Sequence, residues 1–455
     1  MTCETDHVDK YEGLEKYSKN IDESIENSQY VKCGRVVHVS GLVVEVTGLS
    51  LSIGNTCRII LNSNDSIFGE VVGFTNEKII IMPFSSTVGI ASGMIVVQVP
   101  SSGSAPVSND LLGRVVDALG NVLDDSSSID FAKFYPLHPQ ILNPLKRARI
   151  KVPLDVGVRA INSLITICQG QRMGIFAESG MGKSVLLGMM TKFTSADVVV
   201  VGLIGERGRE VKEFIEEILG EEGLKKSVII AVPADNSPLM KVTGANYATS
   251  IAEYFRDQGN HVLLIIDSLT RYAQAYREIS LASGELPATK GYTPSVFAKL
   301  STLIERSGCG LSDESSITSI YTILLENETL SDPIAEHIRS LIDGHIVLSR
   351  ELADSGHYPA IDIEKSISRV MNAIVPKEQV QFALIMKKII NTYHASKDLV
   401  SIGMYQAGSD KDIDLAIKYY PDIVNFLTQQ MDSNSNMESS INDLNGVIDK
   451  MLNNL

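Results

Sequence analysis

The sequence predicts an α/β protein with a mainly parallel sheet, preceded by a small all-β region and followed by helices. Three observations carry that reading. From about residue 150, short apolar runs alternate with helical stretches, as strands joined by crossover helices do. Between residues 31 and 99 the runs are β-branched and closely spaced. After Val380 the strand signals stop and helix-period stripes take over.

Residues 1–30 form a segment of their own, in which acids outnumber lysines. Val8, Tyr11, Leu14, Ile21 and Ile25 nevertheless fall at near-helical spacing. Such a segment is either a solvated tail or an amphipathic helix that orders on a partner. Runs at Arg35–Val39, Leu42–Val46, Arg58–Leu61, Glu70–Phe74, Lys78–Met82 and Met94–Val99 follow, separated by Gly, Asn and Ser. They predict a small barrel or sandwich. Pro100–Pro106 (PSSGSAP) reads as a linker. Strands are predicted at Met173–Ala177, Val198–Ile204, Val228–Val232, Val262–Asp267, Ser319–Leu325 and His345–Ser349. Helices are predicted at Gln381–Tyr393, Asp412–Tyr419 and Ile423–Gln430. A stripe of Met437, Ile441, Leu444, Ile448, Met451 and Leu455 marks a terminal helix that packs into the core, with an exposed docking helix as the alternative.

Composition narrows the function. The 455 residues are 44% hydrophobic, enough for a core, and carry 40 basic against 55 acidic groups, a net charge of −15. Proteins that live on nucleic-acid phosphates usually carry a basic balance or stripe; neither is present, so nucleic acid is not expected as the main partner, though a local basic patch could still bind one. Cys3, Cys33, Cys57, Cys168 and Cys309 are scattered and odd in number, against a disulfide framework or zinc site and in keeping with a reducing compartment. The amino terminus is acidic and polar, unlike a signal peptide. No apolar run approaches the ~18 residues of a membrane span. A soluble cytoplasmic protein is the expectation.

The strongest chemical signal is Ala177-Glu-Ser-Gly-Met-Gly-Lys-Ser184, between a predicted strand and a predicted helix at Val185–Thr191. That context suits a phosphate-binding loop. Backbone N–H groups of Ser179, Gly180, Met181, Gly182 and Val185 would face phosphates at a helix N-terminus. Lys183 would add charge toward the β- and γ-phosphates, and Ser184 a hydroxyl to Mg²⁺. Ala177 stands where the strict pattern has its first Gly. Asp267 ends the apolar strand Val262–Asp267, a position from which a carboxylate reaches the metal side of such a site. Glu206, in Gly205-Glu-Arg-Gly-Arg-Glu210, could polarise an attacking water, and Arg207 beside it joins the catalytic candidates. Arg369 is a candidate charge stabiliser, Tyr358 a candidate base-stacking ring, and Arg271 a candidate buttress.

Together these stretches resemble a known family. AESGMGKS, GERGRE, LLIIDSLTRYAQAYREI, PATKGYTPSVFAKL, DPIAEHIRSLIDGHIVLSREL, HYPAIDIEKSISRV and IGMYQAGSD occur in the order found in type III export ATPases. GRVVDALGNVLDD at residues 113–125 fits the approach to their catalytic domain. The resemblance covers roughly residues 30–430. It is nearest to the flagellar form, mainly through PATKGYTPSVFAKL; the injectisome ATPases and the α and β subunits of rotary ATP synthases are similar.

The resemblance implies a RecA-like P-loop core at 101–380, a β-barrel at 31–100 and a helical domain at 381–455. It implies ATP and Mg²⁺ as cofactors. Lys183 and Ser184 match the phosphate and Mg²⁺ ligands, Glu206 the catalytic carboxylate and Asp267 the metal-side acid. Tyr358 matches an adenine-stacking aromatic, and Arg369 an arginine that reaches a neighbour's site, which implies a homo-hexameric ring. A dimeric, stator-like regulator is implied at the N-terminal segment, and a stalk-like protein in the ring. An export gate and chaperone–substrate complexes are implied at the C-terminal domain, with at most peripheral contact to the inner membrane.

Glu178 departs from the small residue usual at its position. It is expected to turn outward into water, weakening nucleotide affinity modestly and sparing catalysis.

Other readings share the core. A rotary synthase subunit disagrees with VKEF after GERGRE and with the tail past residue 430. An RNA-dependent termination helicase needs basic and aromatic residues on its barrel, where only Phe68, Phe74 and Phe84 stand. A non-catalytic ring subunit is opposed by the joint presence of Lys183, Glu206, Asp267 and Arg369.

Overall fold

The computed structural model describes residues 32–452, apart from 63, 76, 100–102, 125, 126, 132, 140, 141 and 326–331. The expected partner-binding segment 1–30 lies outside the described residues. The chain divides into two compact units between residues 102 and 103.

In the first unit six strands form a closed barrel: β1 (Cys33–Ser40), β2 (Val43–Thr47), β3 (Thr56–Ile60), β4 (Ser66–Thr75), β5 (Lys78–Pro83) and β6 (Ile95–Gln98). Each corresponds to one of the six β-branched runs. The order is β1-β2-β5-β4-β3-β6, antiparallel throughout. β1 also pairs with β6, so no strand edge is left open. Closure decides between barrel and sandwich. Register shifts between Val36 and His38 and between Val71 and Gly73 add local bend to β1 and β4. Val36, Val44, Val46, Ile59, Val71, Ile81 and Val96 fill the interior.

The second unit begins where the sequence predicts a linker. Part of that stretch is instead β7 (Ser104–Val107), which pairs with β9 (Lys133–Pro136). β8 (Val115–Val116) joins the far edge of the main sheet, parallel to β12 (Ser227–Val232). The other strands are β10 (Arg172–Ala177), β11 (Val198–Ile204), β13 (His261–Asp267), β14 (Gly308–Cys309), β15 (Ser316–Leu324), β16 (Gly344–Leu348) and β17 (Ile361–Ser368). Their order is β17-β16-β10-β15-β13-β11-β12-β8, with β14 beside β15. β17 and β14 run antiparallel to their neighbours and the rest are parallel. The six predicted α/β strands are all present. Every residue of β11 and β12 is buried, as strands covered on both faces require.

The C-terminal helices differ from the predicted ones in extent. Lys377–Ser401 is one long helix. Lys411–Leu427 runs through Pro421 rather than breaking there. Burial of Ala416, Tyr419, Ile423, Phe426 and Leu427 holds the helix on both sides of the proline, against the hydrogen bond the proline removes. The terminal helix Met437–Leu452 buries Leu444, Ile448 and Met451, as the core-packing reading expects. These residues belong to the same apolar core as Ile175, Val199 and Ile265 of the sheet.

Candidate functional site

The parallel sheet brings the carboxyl ends of β10, β15, β13 and β11 to one edge, where α/β folds bind ligands. The phosphate-loop sequence leaves β10 there. Gly180 and Gly182 have φ of 85° and 79°, a left-handed backbone that glycine adopts without steric cost. Gly182 then caps the helix Lys183–Phe193, its carbonyl accepting from the Leu186 N–H at 3.0 Å. Met181 is 3% exposed and anchors the loop in the core. Ser179 and Gly180 remain exposed.

Lys183 reaches across the cleft to two acids. Its ammonium donates to Glu206 Oε1 at 3.4 Å and to Asp267 Oδ1. Asp267, at the end of β13, is 2% exposed. Thr322 donates its hydroxyl to the same Asp267 oxygen at 2.6 Å. The register explains this contact: Ile266 pairs with Tyr321, so the next residues on each strand are neighbours. Burial acts to lower the Lys183 pKa, but Asp267 and Glu206 outweigh it and hold the group above its ordinary value. Burial, then the charge of Asp267, pushes Glu206 up to about 7, despite the opposing charge of Lys183. A carboxyl with a pKa near neutrality can exchange protons at working pH.

Of these groups Lys183 and Glu206 line a cleft of about 590 Å³ with Ser184, Val185, Lys241 and Glu278, while Asp267 and Thr322 are buried; the volume is within the range of small-ligand sites. Arg271 lies in the first turn of the helix Leu269–Ala282 after β13, where Ser268 Oγ accepts from its backbone N–H at 3.3 Å. Its aliphatic stem lies over Gly205, where a Cβ would come within 2.9 Å of it. It therefore covers the turn that presents Glu206. Arg207 stands at the rim, its side chain 83% exposed and paired with Glu210 at 3.4 Å.

Tyr358 is brought to the loop: its ring edge lies where a Cβ on Gly182 would meet it at 3.2 Å. Its side chain is otherwise open, the residue being 43% exposed. Arg369 is not brought to the cleft. Gly344 pairs with Ser368 and Leu348 with Ile361, so β17 starts near the phosphate-loop end of the sheet and finishes at the opposite end. Arg369, exposed just beyond it, donates to the Arg339 carbonyl at 3.5 Å.

Glu178 does not turn into water. Its side chain is only 16% exposed. Arg350 donates to its Oε2 from Nε at 3.0 Å and from a terminal nitrogen at 2.7 Å. Sequence reasoning also missed Thr322. Its one signal was a polar residue inside the apolar run of β15.

The comparisons agree with this architecture. The nucleotide-binding domain of the ATP synthase alpha/beta family matches residues 157–368, and the beta-barrel domain of that family matches 36–99. The T3SS EscN ATPase C-terminal domain matches 375–446. The flagellum-specific ATP synthase of Pseudomonas aeruginosa is 52% identical, over 91% of this chain and 92% of its own length. The type 3 secretion system ATPase of Xanthomonas euvesicatoria is 44% identical, over 91% and 94%. Among solved structures, the assembled ATPase EscN of enteropathogenic E. coli superposes with a TM-score of 0.86 at 40% identity. The match covers 91% of this chain and 100% of that one. No described helix is long and apolar enough to cross a membrane. The chain belongs to the type III export ATPases of the ATP synthase alpha/beta family, and is an ATP hydrolase that energises such export.

Proposed function

We propose that this chain is the motor subunit of flagellar protein export, working as a hexameric ring whose active sites are shared between neighbours. One observation carries the reading: Lys183 bridges Glu206 and Asp267 beside an open phosphate loop, while Arg369 stands at the far end of the sheet. A candidate charge stabiliser that stands away from its own subunit's cleft is what a ring with a trans arginine requires. The flagellum-specific relative at 52% identity, against 44% for the secretion-system relative, favours the flagellar branch.

The roles follow from chemistry. Backbone N–H groups from Ser179 to Val185 hold the phosphates, and Lys183 leaves its two acids for the β- and γ-oxygens. Tyr358 offers its open face to the adenine. Glu206 orients the attacking water and takes its proton, for which a pKa near 7 is suited. Arg207, at the rim, adds positive charge near the leaving phosphate. Arg369 of one subunit stabilises charge in the next subunit's site.

Ser184 and Asp267 suit Mg²⁺, a hard cation that binds oxygen and keeps most of its shell for water and phosphate. Their hydroxyl and already buried carboxylate form such a set. When bound, Mg²⁺ neutralises charge developing on the β- and γ-phosphates.

EscN has been solved with a central stalk, EscO, and a stalk-like partner is proposed here too. A dimeric regulator at residues 1–30, and an export gate with chaperone–substrate complexes at the C-terminal helices, complete the assignment. The ring would sit in the cytoplasm, against the export apparatus.

The test is the Mg-ATPase rate per subunit against protein concentration. The rate is expected to rise cooperatively, Arg369→Ala to fail, and a mixture of Arg369→Ala with Glu206→Gln to regain turnover. A flat rate with concentration would sink the shared site.

A further inference from the structure

Glu178 places a carboxylate within the phosphate loop, on the wall of the cleft that also holds Ser179, Gly180 and Lys183. Phosphates bound there carry the same sign of charge. Left alone, this carboxylate would oppose them. At water's dielectric, like charges ~4 Å apart repel by an energy equal to about a five-fold change in an equilibrium constant. The effect grows where water is displaced.

The carboxylate is not alone. Arg350 comes from the first turn of the short helix Arg350–Asp354, after β16. Two of its nitrogens converge on one Glu178 oxygen, at 3.0 and 2.7 Å. One of them also approaches the Ser179 carbonyl at 3.4 Å. A planar guanidinium with fixed donors is suited to such a multiple grip. Arg350 is half exposed, at 50% for its side chain, while Glu178 is 16% exposed. The pair therefore contributes little to folding stability. Its charge lies at the phosphate cradle all the same.

We infer that Arg350 is a positioning residue for nucleotide binding: it neutralises Glu178 and holds the first turn of the phosphate loop open to phosphate. This rests on the nucleotide reading of the cleft and extends it. The anion admitted is the polyphosphate of a nucleotide; the pair tunes affinity and leaves the chemical step to other groups.

The test is a mutant cycle in the full chain. ADP dissociation constants are measured by titration calorimetry with Mg²⁺, and KM and kcat for Mg-ATP hydrolysis are measured alongside. In the natural background, Arg350→Ala is expected to weaken ADP about five-fold and raise KM alike, with kcat within about two-fold. In the Glu178→Gln background, the same loss of Arg350 should cost less than about two-fold. Arg350→Lys should recover most of the affinity, since it restores the charge. If Arg350→Ala has no melting transition, Arg350→Gln replaces it in both backgrounds. Equal costs in the two backgrounds would mean that Arg350 does not act through Glu178. No cost in the natural background would mean that the carboxylate is harmless unaided. Either result overturns the inference. Failure of the unmutated chain to bind ADP would overturn the nucleotide reading instead.

Discussion

Asp267 lies 2% exposed between the Lys183 ammonium and the Thr322 hydroxyl. Once Lys183 turns to phosphate, Thr322 is the remaining side-chain donor described at that carboxylate. Hydrogen bonds to charged groups contribute about 1.5–3 kcal/mol. Thr322→Val keeps the shape and removes the donor, so the half-saturating Mg²⁺ for ATP hydrolysis should rise about tenfold with the fold intact. A Mg²⁺ titration of the ATPase rate checks this, and an unchanged midpoint would show that Asp267 needs no help. The contrast between these neighbours says what a sequence conveys at this scale. Lys183, Ser184, Glu206 and Asp267 were legible because each sits in a local motif at or just past the end of a strand. Thr322 and Arg350 were not, because their partners Asp267 and Glu178 lie 55 and 172 residues away. Only the sheet order makes them neighbours.

In the second unit a buried cation ties two helices together. Arg306, at the end of the helix Pro294–Glu305, is 3% exposed. It grips Glu253, on the helix Pro238–Asp257, through Nε at 3.0 Å and a terminal nitrogen at 2.7 Å. Its other bonds go to the Leu137 carbonyl, Asn246 and Ser250. Breaking such a pair strands a buried charge, at a cost of about 3–5 kcal/mol. Arg306→Met should destabilise the chain by that amount in urea melts, and Arg306→Met with Glu253→Met by less, since no charge is then left over. Equal losses would place the energy in packing rather than charge. Pro421 offers the opposite case. A helix-interior proline costs about 3 kcal/mol, partly offset by the freedom it removes from the unfolded chain. Pro421→Ala should therefore raise the melting temperature. Elements were legible where β-branched runs or apolar stripes stood out. β17 (IDIEKSIS) alternates buried and exposed residues at the sheet edge, and its charged half hides it from a search for apolar runs. β8 and β14 are two residues long, too short for any periodicity to register.

At the scale of the molecule, the two compact units, each with its own apolar packing, set the cooperative units. The barrel closes on its own core around Ile59 and Val71. In the second unit one core cluster is continuous from the sheet into the last helix, through Ile161, Ile175, Ile390, Ile423 and Ile448, while Ile204, Ile251, Leu264 and Ile304 are buried outside it. Polar ties reinforce that continuity. Asp155 accepts from the Met437 N–H at 2.8 Å, and Gln429 donates to the Gly157 carbonyl at 2.8 Å while accepting from the Arg159 N–H at 2.8 Å. The sequence marks a change of texture at Val380 and an apolar stripe on the last helix, but not which residues that stripe meets, because packing between distant helices leaves no local pattern. Calorimetry of the full chain should show two transitions. The cleft is lined by residues of the second unit alone, so Mg-ADP bound there should raise the melting temperature of one transition only. Ile448→Ala, which opens a cavity costing about 2–5 kcal/mol, should lower that same transition although residue 448 is far along the chain from the phosphate loop. Ile59→Ala should lower the other and leave the ADP shift in place. If Ile448→Ala instead lowers a transition that ADP does not move, the C-terminal helices fold as a unit of their own. The route from their surface to the nucleotide would then cross a boundary between domains rather than a single packed core.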